Sequence, residues 1–178
     1  MADRAIEQML ARQRSQYFGK YRGRVVDNED PNKKGRLKLT IPQVLGEVTV
    51  WAMPCVPYAG RNLGFYALPE IDAGVWVEFE AGDPSHPVWV GCFWNDGDIP
   101  DADAKPSIKF FRTKKFRLRV DDDEGEILIE NDSGSEIRLT SEDIVIKSSK
   151  IGNEASSGRK TLLSSGGFNV NDGALEVT

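Results

Sequence analysis

The chain has 178 residues, 23 basic and 28 acidic side chains, and a formal net charge of -5. That length holds one domain of ordinary size with an appendage, or two small units, and the acidic balance excludes a general nucleic-acid binder, because neutralising phosphates needs clustered Lys and Arg. One histidine and two cysteines leave no zinc set, and no apolar run approaches the length of a membrane span.

Taken in order, residues 2–16 place Ile6, Met9 and Leu10 at helical spacing among Arg4, Glu7, Arg12 and Arg14, which predicts a short amphipathic helix with a narrow apolar stripe. Such a helix is marginal alone, so it is either a frayed leader or a docking element for a partner. Residues 1–14 lack the apolar segment of a signal peptide, and synthesis in the cytosol is expected. From Gly19 the pattern turns to β, with strands expected at 22–26, 36–41 and 48–53. In the turn at 27–35, Asp27, Glu29 and Asp30 offset Lys33 and Lys34, so a solvated turn is expected rather than a phosphate loop. Pro54, Pro57 and Gly60 then interrupt the ladder. Residues 58–72 read as a loop with a short strand-like piece at 64–68.

Residues 74–94, GVWVEFEAGDPSHPVWVGCFW, form two β-rich runs around a turn of Gly, Asp, Pro and Ser. Val88, Val90, Cys92 and Trp94 share one face, and Trp89 and Phe93 point the other way, so neither face suits water and the second needs a cover. Cys55 and Cys92 lie in apolar β context and are expected to be buried thiols rather than a disulfide. About five main strands in this span match a small Greek-key barrel such as an OB-fold. Residues 95–105, NDGDIPDADAK, are acidic and lack a β pattern. The expected division is an N-terminal helix at 1–18, a barrel at 19–95, a linker at 96–108 and a further β domain at 109–178.

That further domain carries four short strands around Phe116, Leu118 and Val120, then Ile127 and Ile129, Ile137 and Leu139, and Ile144 and Ile146, separated by acidic turns. One ribbon of this kind cannot enclose a core, so it either folds on the barrel or is wound with identical copies about an axis. In the second case Val120, Ile127, Ile129, Ile137, Leu139, Ile144 and Ile146 form the shared core of three chains. Two more strand-like pieces lie at 168–170 and 175–177. No catalytic constellation stands out: His86 sits in a Pro-flanked turn without a base-orienting third group. Asp121, Asp122, Asp123, Glu124 and Glu126 lack the alternating ligands of a calcium loop and read as a solvated turn.

The order of Pro69, Gly74, Val75, Val77, Phe79, Gly82, Asp83, Pro87, Val88, Val90 and Gly91 resembles the OB-fold of phage baseplate assembly protein V. The same domain occurs in spike proteins of contractile phage tails, in VgrG proteins of type VI secretion and in extracellular injection particles. Upstream YRGRVVDNEDPNKKGRLKLTIP and downstream RTKKFRLRVDDDEGE fit the pattern as well. Members of the family often carry a His at the start of the strand entering the acidic turn, where this chain has Phe116, which weakens any metal site there.

What the resemblance implies is an all-β homotrimer: a short N-terminal helix, a five-stranded OB-fold barrel, and a C-terminal meander forming an intertwined trimeric β-helix. It implies the central puncturing spike of a contractile injection baseplate, with no enzymatic activity and no cofactor. The spike is made in the cytoplasm, assembled into a phage tail or tail-like particle, and meets the target-cell envelope transiently. Hub or other baseplate proteins are expected on Ile6, Met9, Leu10, Trp76, Trp89 and Phe93, and a PAAR-type tip protein on Phe168, Leu175 and Val177. The rival reading is an OB-fold that binds single-stranded nucleic acid or a glycan on Trp51, Trp76, Trp89 and Phe93; charge sign and the meander speak against it.

Overall fold

Alternation in RGRVVD and LKLT turns every second side chain inward, and Val25, Leu37, Leu39 and Ile41 are fully buried. The computed structural model describes residues 4, 6, 7, 15–171 and 174–177, with only the backbone of Glu176 and Val177. It is all-β and divides into two units, Met1–Asp98 and Ile99–Thr178. The first contains β1 (Tyr21–Asp27), β2 (Leu37–Thr40), β3 (Thr49–Pro54), a small separate hairpin of β4 (Ala59–Gly60) and β5 (Leu63–Gly64), then β6 (Gly74–Phe79) and β7 (Pro87–Phe93). Five of these close a barrel in the order β1-β2-β3-β7-β6. β3 and β7 pair in parallel and the other barrel pairs are antiparallel. This is the expected OB-type barrel; closing it removes open edges and lets one chain bury its own core.

A one-turn helix, α1 (Pro42–Leu45), leads from β2 to β3. Tyr17 joins the barrel from ahead of the expected boundary: its N–H donates to the Gly82 carbonyl at 2.8 Å, and its ring lies 6.0 Å from those of Tyr21 and Phe79. Residues 4, 6 and 7 are helical and Ile6 is exposed; Met9 and Leu10 lie outside the described residues.

β6 and β7 pair Trp76 with Gly91 but Val77 with Trp89, so Val90 is an extra residue, a β-bulge. Gly91 follows it at a φ of 153°, where a side chain would be strained. The bulge reverses the side-chain parity of β7. Trp89 points inward, 5% exposed, and its Nε1–H donates to the Gly35 carbonyl at 3.2 Å. Phe93, four residues on, lies outside; strict alternation had placed both on one outer face, and the inserted residue is why that expectation fails. Phe93 folds over Gly74, where an added Cβ would stand 2.4 Å from the ring. Cys55 and Cys92 are free and exposed, contrary to the expectation of buried thiols: Cys55 follows the end of β3, and Cys92 lies beyond the bulge.

The loop between β1 and β2 is not a solvated turn. Asp30 accepts the backbone N–H of Asn32, Lys34 and Arg36 at 2.9, 2.7 and 3.2 Å, and Nε and Nη2 of Arg36 at 3.0 and 2.7 Å. The Arg36 guanidinium also lies 5.1 Å from the Trp51 ring centroid. The Arg36 hydrogen bond, with the three amides, holds the Asp30 carboxyl well below the usual carboxylate range.

The second unit holds two sheets. β8 (Ile108–Arg112), β9 (Phe116–Asp121), β10 (Glu126–Asn131), β11 (Glu136–Leu139) and β12 (Ile144–Lys147) form an antiparallel meander, and β13 (Lys150–Glu154), β14 (Lys160–Ser164), β15 (Gly167–Val170) and β16 (Leu175–Val177) form a second. β9 to β12 are the four strands expected, and β15 and β16 match the two further pieces; β8, β13 and β14 were not anticipated. Within the segment expected as a linker, Asp103 is buried, and it accepts Nη2 of Arg112 at 2.6 Å and Nε of Arg119 at 3.3 Å. Arg119 also donates to Asp121 at 2.8 Å, and Asp121 accepts the backbone N–H of Asp123 and Glu124. Burial opposes the charge of both carboxylates. Their hydrogen bonds outweigh it, chiefly from Arg112 at Asp103 and from the Glu124 amide and Arg119 at Asp121, so both stay below the usual range. Asp121 is therefore an internal anchor and not part of a solvated turn.

A depressed carboxyl stabilises the fold fully above its unfolded pKa, near about 4, and the contribution is lost as pH falls toward its folded value. Asp30→Ala should lower the melting temperature at pH 7, and the gap from the parent chain should narrow steadily as pH is taken from about 5 to about 2. An equal gap at both ends of that range, in thermal melts followed by circular dichroism, would show that charge does not hold the loop. Arg119→Met should lower the melting of the second unit more than Lys109→Met, which breaks only the exposed pair with Asp122. Its effect should shrink in acid for the same reason.

Candidate functional site

The strand register of the meander sorts its side chains into two unlike faces. Phe111, Leu118, Ile129, Ile137 and Ile146 form one cross-strand row, and Lys109, Val120, Ile127, Leu139 and Ile144 form the next row of the same face. All seven residues expected in a shared core lie on this face, and Ile127, Ile137, Ile144 and Ile146 are 39, 40, 69 and 55% exposed. Phe111 extends the row and was missed because no strand was expected at 108–112. The opposite face carries the row Arg112, Arg117, Glu130, Glu136 and Lys147. There Arg117 meets Glu130 at 2.5 Å, and Lys147 lies 3.8 Å from Glu136. The next row of that face sets Phe110, Leu128 and Val145 between Arg119 and Arg138, so this face is mixed, with the ion pairs in one row, and the first face is apolar but for Lys109.

The second sheet repeats the arrangement. Ile151, Leu163, Phe168 and Val177 are in register, beside a row of Asn153, Thr161, Val170 and Leu175. Leu163, Phe168 and Leu175 are 51, 40 and 56% exposed. The three expected tip contacts thus share one face by register, and that face includes Ile151 and Leu163, which sequence reasoning did not single out. A depression of about 370 Å³ is lined by Ile129, Ile137 and Ile146 of the first sheet and Ile151 of the second, together with Glu130, Glu136, Lys147 and Lys150.

The family model described as the type VI secretion system/phage-baseplate injector OB domain matches residues 21–94, the span of the closed barrel. This part of the chain belongs to that family. The match supports a structural role in the baseplate of a phage or type VI secretion particle. No curated protein matches the chain. No helix among the described residues is long and apolar enough to cross a membrane.

On the injector OB domain the expected hub residues do not form one open patch. Trp89 is in the core. Trp76 and Phe93 lie outside with their rings 5.0 Å apart, and the Arg22 guanidinium covers them at 5.1 and 4.7 Å from the two centroids. Arg36 likewise lies over Trp51, so the four-ring stacking platform of the rival reading is not assembled.

His86 does meet a serine and an aspartate: its Nδ1 lies 3.1 Å from Ser85 Oγ and 3.3 Å from Asp83 Oδ2. A nucleophilic triad needs the imidazole to bridge the other two through different nitrogens, whereas here one nitrogen faces both. The Ser85 hydroxyl donates to Asp83 at 2.6 Å. That bond first, and the Ser85 amide next, lowers the Asp83 carboxyl below its ordinary range; the group is an exposed turn device. No cluster of His, Cys, Asp and Glu among the described residues would hold a metal. What the second unit offers is surface for association.

Proposed function

We propose that the chain is the homotrimeric central spike of a contractile injection baseplate, structural and not enzymatic, without a cofactor. Three copies turn the apolar faces of their second units to a common axis and wind into a β-helical needle that meets the target envelope transiently. The observation that carries this reading is the pair of exposed, largely apolar rows on one face of a sheet whose other face is mixed and carries an ion-paired row. An exposed apolar patch of this extent on one chain marks an association surface. A symmetric closed assembly covers it with copies of itself, leaving the ladder outside.

Hub contacts fall to Ile6 and the rim of Trp76 and Phe93, and Trp89 is withdrawn because it is buried. Phe168, Leu175 and Val177, on one face by register, are assigned to a PAAR-type tip protein on the strength of the family resemblance. Synthesis in the cytoplasm precedes incorporation in the particle.

Light scattering of the full chain should give the mass of three copies. Ile137→Asp and Ile144→Asp bring like charges together in an apolar core, at a cost of several kcal/mol by order of magnitude, and each should shift the mass toward one copy. Unchanged mass and melting in both variants would rule out the axial placement. Deleting residues 167–178 should abolish recovery of the tip protein with the spike and leave the barrel folded; a truncated chain that still recovers the tip removes the assignment of those residues.

A further inference from the structure

β1 runs antiparallel to β6, β6 antiparallel to β7, and β3 parallel to β7. β1, β3 and β7 therefore all finish at one end of the barrel. From that end emerge the Asp30 loop, the β4–β5 hairpin and the segment after β7. The hairpin stands away from the core on a short ladder, with the Phe65 N–H donating to the Tyr58 carbonyl at 2.9 Å. Tyr58, Leu63, Phe65 and Tyr66 are 56, 64, 57 and 76% exposed. They wall a groove of about 420 Å³ whose rim carries Lys33 and Lys34. Neither lysine has an ion-pair partner among the described residues.

The segment after β7 has the complementary character. Trp94 is 67% exposed and does not line the groove of its own chain. Asp96 and Asp98 follow it, both exposed, and Asp98 is already oriented by the Asn95 amide at 2.6 Å.

We propose that each groove receives the Trp94–Asp98 segment of a second copy of this chain, with the indole against the hairpin aromatics and the two carboxylates facing Lys33 and Lys34. Two independent complementarities coincide, aromatic side chain to apolar groove and acidic segment to basic rim. The contact is heterologous, groove of one copy to segment of the next, and a ring of copies closes it without leftover partners. It rests on the trimeric reading above and adds what holds neighbouring barrels together. Tethered through the second units, the barrels meet at high effective concentration, so a small contact suffices.

The test uses the full chain with Cys55→Ser and Cys92→Ser. Chains carrying Lys34→Cys are co-assembled with chains carrying Asp96→Cys and treated with a short bis-maleimide. Covalent pairs of the two chains should exceed by about tenfold those from Lys20→Cys with Asp96→Cys, because Lys20 lies at the opposite barrel end. In a second set, Lys33→Glu with Lys34→Glu should lower the melting of the assembled particle, and adding Asp96→Lys with Asp98→Lys should restore it. A three-copy mass without cross-linking above the control overturns this inference and leaves the spike reading standing; a groove filled by another baseplate protein gives that result. A single-copy mass for the parent chain overturns the spike reading and this contact with it.

Discussion

A β-sheet one layer thick with one apolar face has no stable state in water until something covers that face, and the second unit is organised around this constraint. Because side chains alternate with period two, a slip of one residue would carry the ladder of Arg117, Glu130, Glu136 and Lys147 to the apolar side. Short polar turns fix the register. Asn131 Oδ1 accepts the amides of Ser133 and Ser135 at the β10–β11 turn. Thr140 Oγ1 accepts the Asp143 amide and donates to its carboxylate between β11 and β12, and Asp121 accepts two amides between β9 and β10. Turn residues that look merely solvated in the sequence, Asn131, Thr140 and Asp121, are thus what keeps isoleucines opposite isoleucines.

The barrel meets the same constraint by closing on itself. Its core side chains belong to one chain, each large aliphatic among them contributing about 1.5–3 kcal/mol on burial; on the outside Arg22 of β1 covers Trp76 and Phe93, and Arg36, just ahead of β2, covers Trp51. The bulge at Val90 lets β7 serve both purposes, with Trp89 sealing the interior and Phe93 pressed over Gly74 on the outside. What stays uncovered is confined to a few places, and the hairpin after β3 is the most aromatic of them.

The barrel was legible in the sequence because its strands are long enough for alternation to show, and because the Gly, Asp and Pro of the β6–β7 turn mark the reversal. The apolar face of β9 to β12 was legible for the same reason: Leu118 and Val120, Ile127 and Ile129, Ile137 and Leu139, and Ile144 and Ile146 each stand two residues apart in their strand. Side-chain placement beyond the bulge was not, since one inserted residue inverts parity and nothing in VWVGCF distinguishes the inserted valine from its neighbours. β8 was hidden by Lys109 and Arg112 at the edge of a charged stretch, and β13 and β14 by Ser and Gly, whose propensity for strands is low. Asp30 and Asp103 look like any surface acid; only the tertiary arrangement of Arg36, Arg112 and Arg119 makes them structural.

The two units therefore differ in what folds them, and on the trimeric reading the difference sets an order of events. A barrel that buries its own core folds as one chain, whereas the second unit gains the burial of its isoleucine rows only in the company of other copies, so its ordering and the assembly of the spike are a single step. Uncontrolled association is the hazard of such a step, and the margins of the sheet counter it. Lys109 stands on the apolar face at the edge strand β8, held by Asp122, and β12 at the other edge ends in Lys147. Charges on edge strands oppose open-ended pairing of sheet to sheet. The apolar faces are then free to meet while the edges are not, and association through faces alone around an axis closes at a finite number of copies instead of growing into a fibre.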